Sequence, residues 1–125
     1  METIRIERCP LRPALDVIGG KWKPIIIHHL IRGGVQRFGQ LRRLLPDATQ
    51  KMLTQQLREL EHDGIVARKV YHQVPPKVEY SLTTFGRTLI PVMTELCEWG
   101  QKHRLRLARK RRAGQKRIPE QQLRS

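Results

Sequence analysis

The sequence predicts a mainly α-helical fold with a small antiparallel β-ribbon, because the spacing of its apolar residues changes twice along the chain. From Leu11 to Gly64 apolar residues recur every three to four positions, which is the period of an amphipathic helix. Between Ile65 and Leu82 they alternate with polar residues, which is typical of half-buried strands. The helical period then returns and extends beyond Leu107. We therefore expect several short helices, one hairpin and a long final helix.

Three short helices are expected before the most regular one, over residues 10–18, 21–31 and 38–45. Glycine pairs follow the first two segments and interrupt the helical pattern. Pro24 is compatible with the second helix because it lies in the first turn, where a backbone N–H needs no partner. The residues that this pattern directs into the core are Trp22, Ile25, Ile26, Leu30, Phe38, Leu41 and Leu45, with Ile27 at the edge of the set.

The most regular helix is expected between Thr49 and Gly64. Its apolar side chains, Leu53, Leu57 and Leu60, share one face. Thr49 suits the N-cap and Gly64 suits the left-handed stop. The opposite face carries residue types that read base edges and phosphates in a major groove. The candidate DNA contacts on this helix are Thr49, Gln50, Lys51, Thr54, Gln55 and Arg58. For this helix taken alone, an ordinary surface helix with a solvated polar face is the alternative.

A β-hairpin is expected directly after this helix, with strands at residues 65–71 and 78–82. Pro75 and Pro76 cannot continue a strand ladder, so they mark the tip. A short helix, a tight turn, a helix with a polar face and then a hairpin is the order of a winged helix-turn-helix. Further candidate DNA contacts are Arg37, His72 and Lys77. A solvated strand edge is the alternative for each residue of the wing.

The last helix is expected to begin after a cap at Thr83 or Thr84 and to kink at Pro91. A helix this long in so small a domain lacks a partner within its own chain, so we expect a second subunit to cover its apolar stripe. That stripe comprises Leu89, Val92, Met93, Leu96, Trp99 and His103. Residues 1–108 are interpreted as the folded domain, and residues 109–125 as a basic, disordered tail.

The charge of the chain indicates a polyanionic partner. The formal net charge is +14 over 125 residues, of which +5 falls in residues 1–100 and +9 in residues 101–125. Nucleic acid is the commonest partner of such a chain. A membrane surface is disfavoured because the tail lacks the aromatic and leucine face of an interfacial helix.

Composition and spacing argue against several other classes of protein. No apolar run reaches the ~20 residues of a membrane span, and no signal peptide is recognisable. Two cysteines do not form a disulfide framework. No pair of carboxylates suggests acid–base catalysis, and no spacing of ligands suggests a metal site. We therefore expect a cytoplasmic protein without a cofactor, a metal or catalytic residues.

Five short motifs stand out within residues 9–103. They are Cys-Pro at 9–10, GGKW at 19–22, TQKMLTQQLRELE at 49–61, VPPKVEY at 74–80 and LTTFGR at 82–87. Together they resemble the HxlR-type winged helix-turn-helix transcriptional regulators. The resemblance implies a homodimer that places two recognition helices in successive major grooves of double-stranded DNA. It also implies that the first and last helices form the dimer interface, which adds Leu11 and Leu15 to the apolar stripe.

Cys9 is a candidate redox sensor. The resemblance implies that some members respond to oxidants or electrophiles through an N-terminal cysteine, and Cys9 holds that position. The nearby helix start, Arg8 and Arg12 all favour a thiolate there. The hypothesis is that an oxidant or small-molecule effector modifies Cys9 or joins it to Cys97 of a second subunit. A buried, inert thiol is the alternative for Cys9, and it is our expectation for Cys97.

Two functions from different classes follow from these observations. The first is a sequence-specific DNA-binding regulator, interpreted as a repressor, that recognises a two-fold symmetric operator as a homodimer. The second is a basic architectural protein that binds nucleic acid without sequence preference through its tail.

Overall fold

The structure, a computed structural model, describes residues 9–113. Residues 1–8 and 114–125 lie outside that part, and with them most of the predicted basic tail. The chain divides into two compact units, residues 1–90 and residues 91–125. The first unit holds the predicted helix-turn-helix and hairpin, and the second unit holds the body of the predicted last helix.

The described part of the first unit contains four α-helices, a small antiparallel sheet and a short 3-10 helix. In chain order these are α1 (Leu11–Ile18), α2 (Trp22–Gly33), β1 (Gln36–Arg37), α3 (Phe38–Leu44), α4 (Gln50–His62), β2 (Val66–Tyr71), β3 (Lys77–Leu82) and the 3-10 helix (Gly86–Leu89). The four helices and the hairpin follow in the predicted order, whereas β1 and the 3-10 helix were not predicted. The predicted fold class, mainly helical with a small antiparallel β-ribbon, is confirmed.

The core of the first unit lies among α2, α3, α4 and the sheet. Ile26, Ile27 and Leu30 of α2 are at most 2% exposed, but Ile25, which the sequence pattern directs inward, is 37% exposed. Successive helix residues point about 100° apart, so the face that buries the other three leaves Ile25 on the opposite side. Fully buried side chains from the remaining elements are Leu41, Leu45, Leu53, Leu57, Leu60, Ile65 and Val66.

The sheet has three strands in the order β1–β3–β2, where the sequence predicts a two-stranded ribbon. β2 and β3 form the predicted hairpin, with Val66 opposite Leu82 and Tyr71 opposite Lys77. β1 is a two-residue strand that pairs antiparallel with the other edge of β3. A strand of two residues shows no alternation, so its formation depends on the neighbouring strand rather than on a local sequence pattern.

The backbone just after α4 packs closely against the segment that follows the hairpin. Gly64 has φ +77°, the left-handed conformation expected of it. The Thr83 hydroxyl donates to the Gly64 carbonyl at 2.5 Å and accepts from the Gly86 N–H at 2.8 Å. A Cβ on Gly86 would lie 2.1 Å from the Ile65 carbonyl oxygen. Glycine at this position therefore permits the 3-10 helix to approach the start of β2.

The second unit is helical throughout its described part, apart from a turn at residue 103. α5 (Ile90–Lys102) is followed by residues 104–113, which are also helical. Pro91 lies in the first turn of α5, where a proline does not interrupt the helical hydrogen bonds. In place of the kink predicted at Pro91, the chain changes from a 3-10 helix to an α-helix just before this residue. The helix passes the predicted domain end at residue 108, and disorder beyond residue 113 stays a prediction. Among residues 9–113 no helix combines the length and apolarity needed to cross a membrane.

Candidate nucleic-acid interface

The turn between α3 and α4 is tight and internally bonded. The Ala48 N–H donates to the Leu45 carbonyl at 3.1 Å, and both side chains are buried. Thr49 caps α4 as predicted, because its hydroxyl accepts the Met52 N–H at 3.1 Å. The two helices are therefore fixed relative to each other, which a helix-turn-helix requires if the second helix is to enter a groove.

α4 is anchored by one face and exposes the other. Leu53, Leu57 and Leu60 are at most 1% exposed. The exposed candidates are Thr49, Gln50, Lys51, Gln55 and Arg58, whereas Thr54 is half-buried. The Thr54 hydroxyl donates to the Gln50 carbonyl at 2.8 Å, so its proton is used within the helix. α4 thus presents most of the predicted groups together on one surface.

Arg42 of α3 contacts the first turn of α4. Its Nη1 donates to Gln50 Oε1 at 3.3 Å, which leaves the Gln50 amide nitrogen as the outward donor. The sequence pattern indicates only that Arg42 faces outward, as either a phosphate contact or a surface charge. The contact across the turn depends on the angle between the two helices, which the sequence alone does not specify.

Arg37, Lys69 and Lys77 form a cationic row around Glu79 on the sheet. Directly opposed residues of antiparallel strands lie on the same face, and Glu79 is opposite Arg37 on one side and Lys69 on the other. Lys77 Nζ lies 3.7 Å from Glu79 Oε2 and 4.3 Å from the centre of the Tyr71 ring. Three cations surround one carboxylate, so this face keeps a net positive charge.

The tip of the wing projects into solvent. His72 is exposed, as predicted for a DNA contact, and the neighbouring Val74 is 99% exposed. An apolar side chain at the tip of a basic wing matches the apolar groups that enter minor grooves. Sequence reasoning missed Val74; its position directly before two prolines at a predicted hairpin tip was the available signal.

Arg58 lies between two grooves on either side of α4. One groove, of about 210 Å³, is lined by Thr54, Arg58, Glu61, Arg68 and Tyr80. The other, of about 310 Å³, is lined by Asp16, Lys23, Gln55, Arg58, Glu59, His62 and Asp63. Carboxylates of Glu61 and Asp63 concentrate negative charge at the C-terminal end of α4. A phosphate backbone is therefore expected to approach the N-terminal half of the helix.

A buried lysine lies behind α4. Lys23 of α2 is 7% exposed, and its Nζ lies 2.6 Å from Glu59 Oε1. The Lys23 hydrogen bond and charge, together with a hydrogen bond from the Gln55 side chain, lower the pKa of Glu59. The sequence pattern treats Glu59 as a solvated or ion-paired carboxylate but does not identify its partner, since the two residues are 36 positions apart.

The candidate dimer residues are mostly exposed in the single chain. Leu11 and Leu15 of α1 are 65% and 56% exposed. In the second unit Val92, Leu96 and Trp99 are 47–56% exposed, which leaves an uncovered apolar surface on α5. Met93 is only 4% exposed, and Leu89 is half-buried in the 3-10 helix. The prediction that Met93 belongs to the exposed apolar stripe is therefore wrong, because its side chain is already buried in the single chain. His103 Nδ1 lies 2.9 Å from the Trp99 carbonyl oxygen, and the two rings stack.

The two cysteines differ in exposure. Cys9 is half-buried, and its carbonyl accepts the Arg12 N–H at 3.0 Å at the start of α1. Cys97 is exposed, which contradicts the expectation of a buried thiol, because α5 turns this position outward. Within residues 9–113 no three His, Cys, Asp or Glu side chains are grouped closely enough to hold a metal ion.

Comparison with known proteins agrees with this geometry. A family model described as HxlR-like helix-turn-helix matches residues 17–108. The chain belongs to that family. Its members are transcriptional regulators rather than enzymes, and the winged helix that the family carries is the fold of residues 9–90 here. The predicted family, fold class and absence of enzymatic activity are confirmed.

Relatives within the family are similar over most of their length. An HTH-type transcriptional regulator of Bacillus subtilis, YybR, is 62% identical over 98 residues, which are 78% of each chain. The redox regulator HypR in its reduced form is 60% identical, with a TM-score of 0.76 over 80% of this chain and 98% of HypR. The B. subtilis regulator YodB in its reduced form is 38% identical, with a TM-score of 0.66 over 75% of this chain and 93% of YodB.

Proposed function

We propose that this protein is a cytoplasmic, sequence-specific DNA-binding repressor that recognises a two-fold symmetric operator as a homodimer. The observation that carries the proposal is the exposed N-terminal half of α4, where Gln50, Lys51 and Gln55 project from a helix whose other face is buried. Amide and ammonium groups in this arrangement suit base edges and phosphates of a major groove. The cationic row and the wing tip supply the neighbouring contacts to the phosphate backbone.

A homodimer is supported by exposed apolar side chains in both units. Leu11 and Leu15 in the first unit, and Leu96 and Trp99 in the second, are each more than half exposed. Exposed leucine and tryptophan at helical spacing favour burial against another protein surface. Two copies related by a two-fold axis would place their recognition helices in half-sites about 10 bp apart.

The experiment that tests this function is footprinting of the full-length protein on its own upstream DNA at fixed salt. We expect a discrete protected region with two-fold related halves. Repression is expected as lower reporter expression from that region when the protein is present. Diffuse protection that depends only on protein concentration would contradict sequence-specific recognition.

We further propose that oxidation at Cys9 releases the protein from its operator. The support is the half-buried position of Cys9 at the start of α1, together with similarity to redox regulators such as HypR. Diamide is expected to release the wild-type protein from its footprint and to leave Cys9→Ser bound. Cys97→Ser, which removes an exposed thiol, distinguishes the two forms of the switch: it should still be released if Cys9 alone is modified, and it should stay bound if Cys9 pairs with Cys97 of a second subunit. Equal release of Cys9→Ser and wild type would rule out this switch.

The basic tail favours the second candidate, an architectural nucleic-acid binder, because residues 101–125 carry a charge of +9. Truncation after residue 108 distinguishes the two. A specific regulator is expected to lose a sequence-independent share of affinity and to keep its site preference. An architectural binder would lose nearly all its affinity for every sequence.

A further inference from the structure

A groove of about 210 Å³ separates α4 from the β2–β3 hairpin. One wall consists of Thr54, Arg58 and Glu61, which follow one another at successive turns of α4. The other wall consists of Arg68 and Tyr80, which are directly opposite each other on β2 and β3. The fold therefore brings two arginines from separate elements to one groove.

Arg68 occupies a position on β2 where the sequence pattern favours an apolar residue. Alternate residues of a strand share a face, so Arg68 lies on the same face as Val66 and Val70. This face turns towards the core, because Val66 is 2% exposed and Tyr80, opposite Arg68, is 9% exposed. An exposed arginine on this face departs from the local pattern, and such departures are expected at functional positions.

The protein itself does not neutralise either arginine of the groove. Within residues 9–113, no ion pair and no side-chain hydrogen bond involves Arg58 or Arg68. Two guanidinium groups and the single carboxylate of Glu61 leave the groove with a net positive charge. Glu61 lies one turn beyond Arg58, so it repels an anion from the C-terminal end of the groove and favours the end near Thr54.

Tyr80 contributes a hydroxyl group that has no partner in the described part of the chain. Its side chain is buried, and no hydrogen bond within residues 9–113 involves its hydroxyl. In the same residues every fully buried side-chain N or O atom has a hydrogen-bond partner, so the unpartnered hydroxyl is reached by solvent. It therefore opens into the groove that Tyr80 lines. A tyrosine this buried usually pairs its hydroxyl, which indicates that a ligand supplies the partner.

We propose that Arg58, Arg68 and Tyr80 together bind one phosphate of the DNA backbone in each half-site. The inference rests on the proposed function. Arg58 belongs both to this groove and to the exposed face of α4, so the anion within reach is the backbone beside the bases that α4 is proposed to read. Guanidinium groups match phosphate oxygens in geometry, and a tyrosine hydroxyl donates a further hydrogen bond. Such a contact fixes the position of α4 on the duplex and carries no sequence preference itself.

The test uses the full-length protein and the operator defined by footprinting, with a neutral methylphosphonate replacing one phosphate at a time. Tyr80→Phe and Arg68→Gln are each expected to bind the unmodified operator about fivefold or more weakly than wild type. Neutralising one particular phosphate should then cost each variant less than it costs wild type, and it should be the same phosphate for both. Arg68→Gln should also lower the slope of log affinity against log salt by about 1.

Two control variants remove the same chemical groups from other places. Tyr71→Phe removes a tyrosine hydroxyl from the opposite face of β2 and keeps the ring that Lys77 Nζ contacts. Arg32→Gln removes an exposed arginine from α2. Both controls should keep the wild-type sensitivity at every phosphate. Tyr80→Phe keeps the buried ring and removes only an unpartnered hydroxyl, so its melting temperature should equal that of wild type.

Three results would overturn the inference while leaving the proposed function in place. They are wild-type sensitivity at every phosphate in Tyr80→Phe and Arg68→Gln, relief at different phosphates in the two variants, and a changed base preference in Tyr80→Phe with full phosphate sensitivity. The last result would assign the hydroxyl to base recognition. Absence of any sequence-specific protection by wild type would instead contradict the proposed function, and this inference with it.

Discussion

At the scale of single residues, close backbone packing explains why the LTTFGR motif at residues 82–87 has a glycine at position 86. A Cβ at this position would lie 2.1 Å from the Ile65 carbonyl oxygen, which is backbone and cannot move aside alone. We expect Gly86→Ala to lower the free energy of unfolding by about 1–3 kcal/mol, as overpacking does. Thermal and urea unfolding of the variant and wild type would measure the difference.

Gly39→Ala is the matched control for this substitution. Gly39 lies in α3, and no neighbouring atom comes within 4 Å of the position of an added Cβ. Alanine is favoured over glycine in a helix, so this variant should be unchanged or more stable by up to about 1 kcal/mol. Equal stability of Gly86→Ala and wild type would show that the backbone around Ile65 relaxes without cost.

At the scale of one element, α2 couples the stability of the fold to pH. Burial, then the neighbouring His28 and Arg32, lowers the pKa of His29 below its usual 6.5. The unfolded chain therefore binds a proton more readily than the folded chain, and stability falls as the pH drops through about 6.5 towards the lowered pKa. We expect His29→Gln to reduce this fall, as measured by melting temperatures between pH 8 and 5.5. His72→Gln, which removes an imidazole from the exposed wing tip, is the control and should keep the wild-type dependence of melting temperature on pH. If His29→Gln also keeps the wild-type dependence, His29 is not the group that couples stability to pH.

The elements also show which parts of the fold the sequence predicts. Thr49 and Gly64 act locally, through a side-chain cap and a positive φ, so the ends of α4 were predictable from the residues alone. β1 and the Lys23–Glu59 pair depend on residues far apart in the chain, and neither leaves a local pattern. The candidate DNA contacts were predictable as one face of α4.

At the scale of the whole molecule, the exposed apolar stripe of α5 predicts that the functional unit is a dimer. Leu96→Lys places a charge in the centre of that stripe, so we expect it to shift the protein from dimer to monomer and to weaken operator binding at least tenfold. Sedimentation velocity and operator titration would measure the two effects. Thr94→Lys adds the same charge on the opposite side of α5, at an exposed position, and should remain dimeric. A dimeric Leu96→Lys variant would place the subunit interface elsewhere.

The pairing of β1 with β3 has a consequence for the operators themselves. β1 runs directly into α3 and shares β3 with the wing, so the helix-turn-helix and the hairpin are joined by backbone hydrogen bonds. The distance between the bases that α4 is proposed to read and the phosphates that the wing is proposed to contact is then a fixed property of the protein. Natural binding sites of this regulator should have half-sites of constant internal length. An insertion of one base pair inside a half-site should be more harmful than most single-base substitutions.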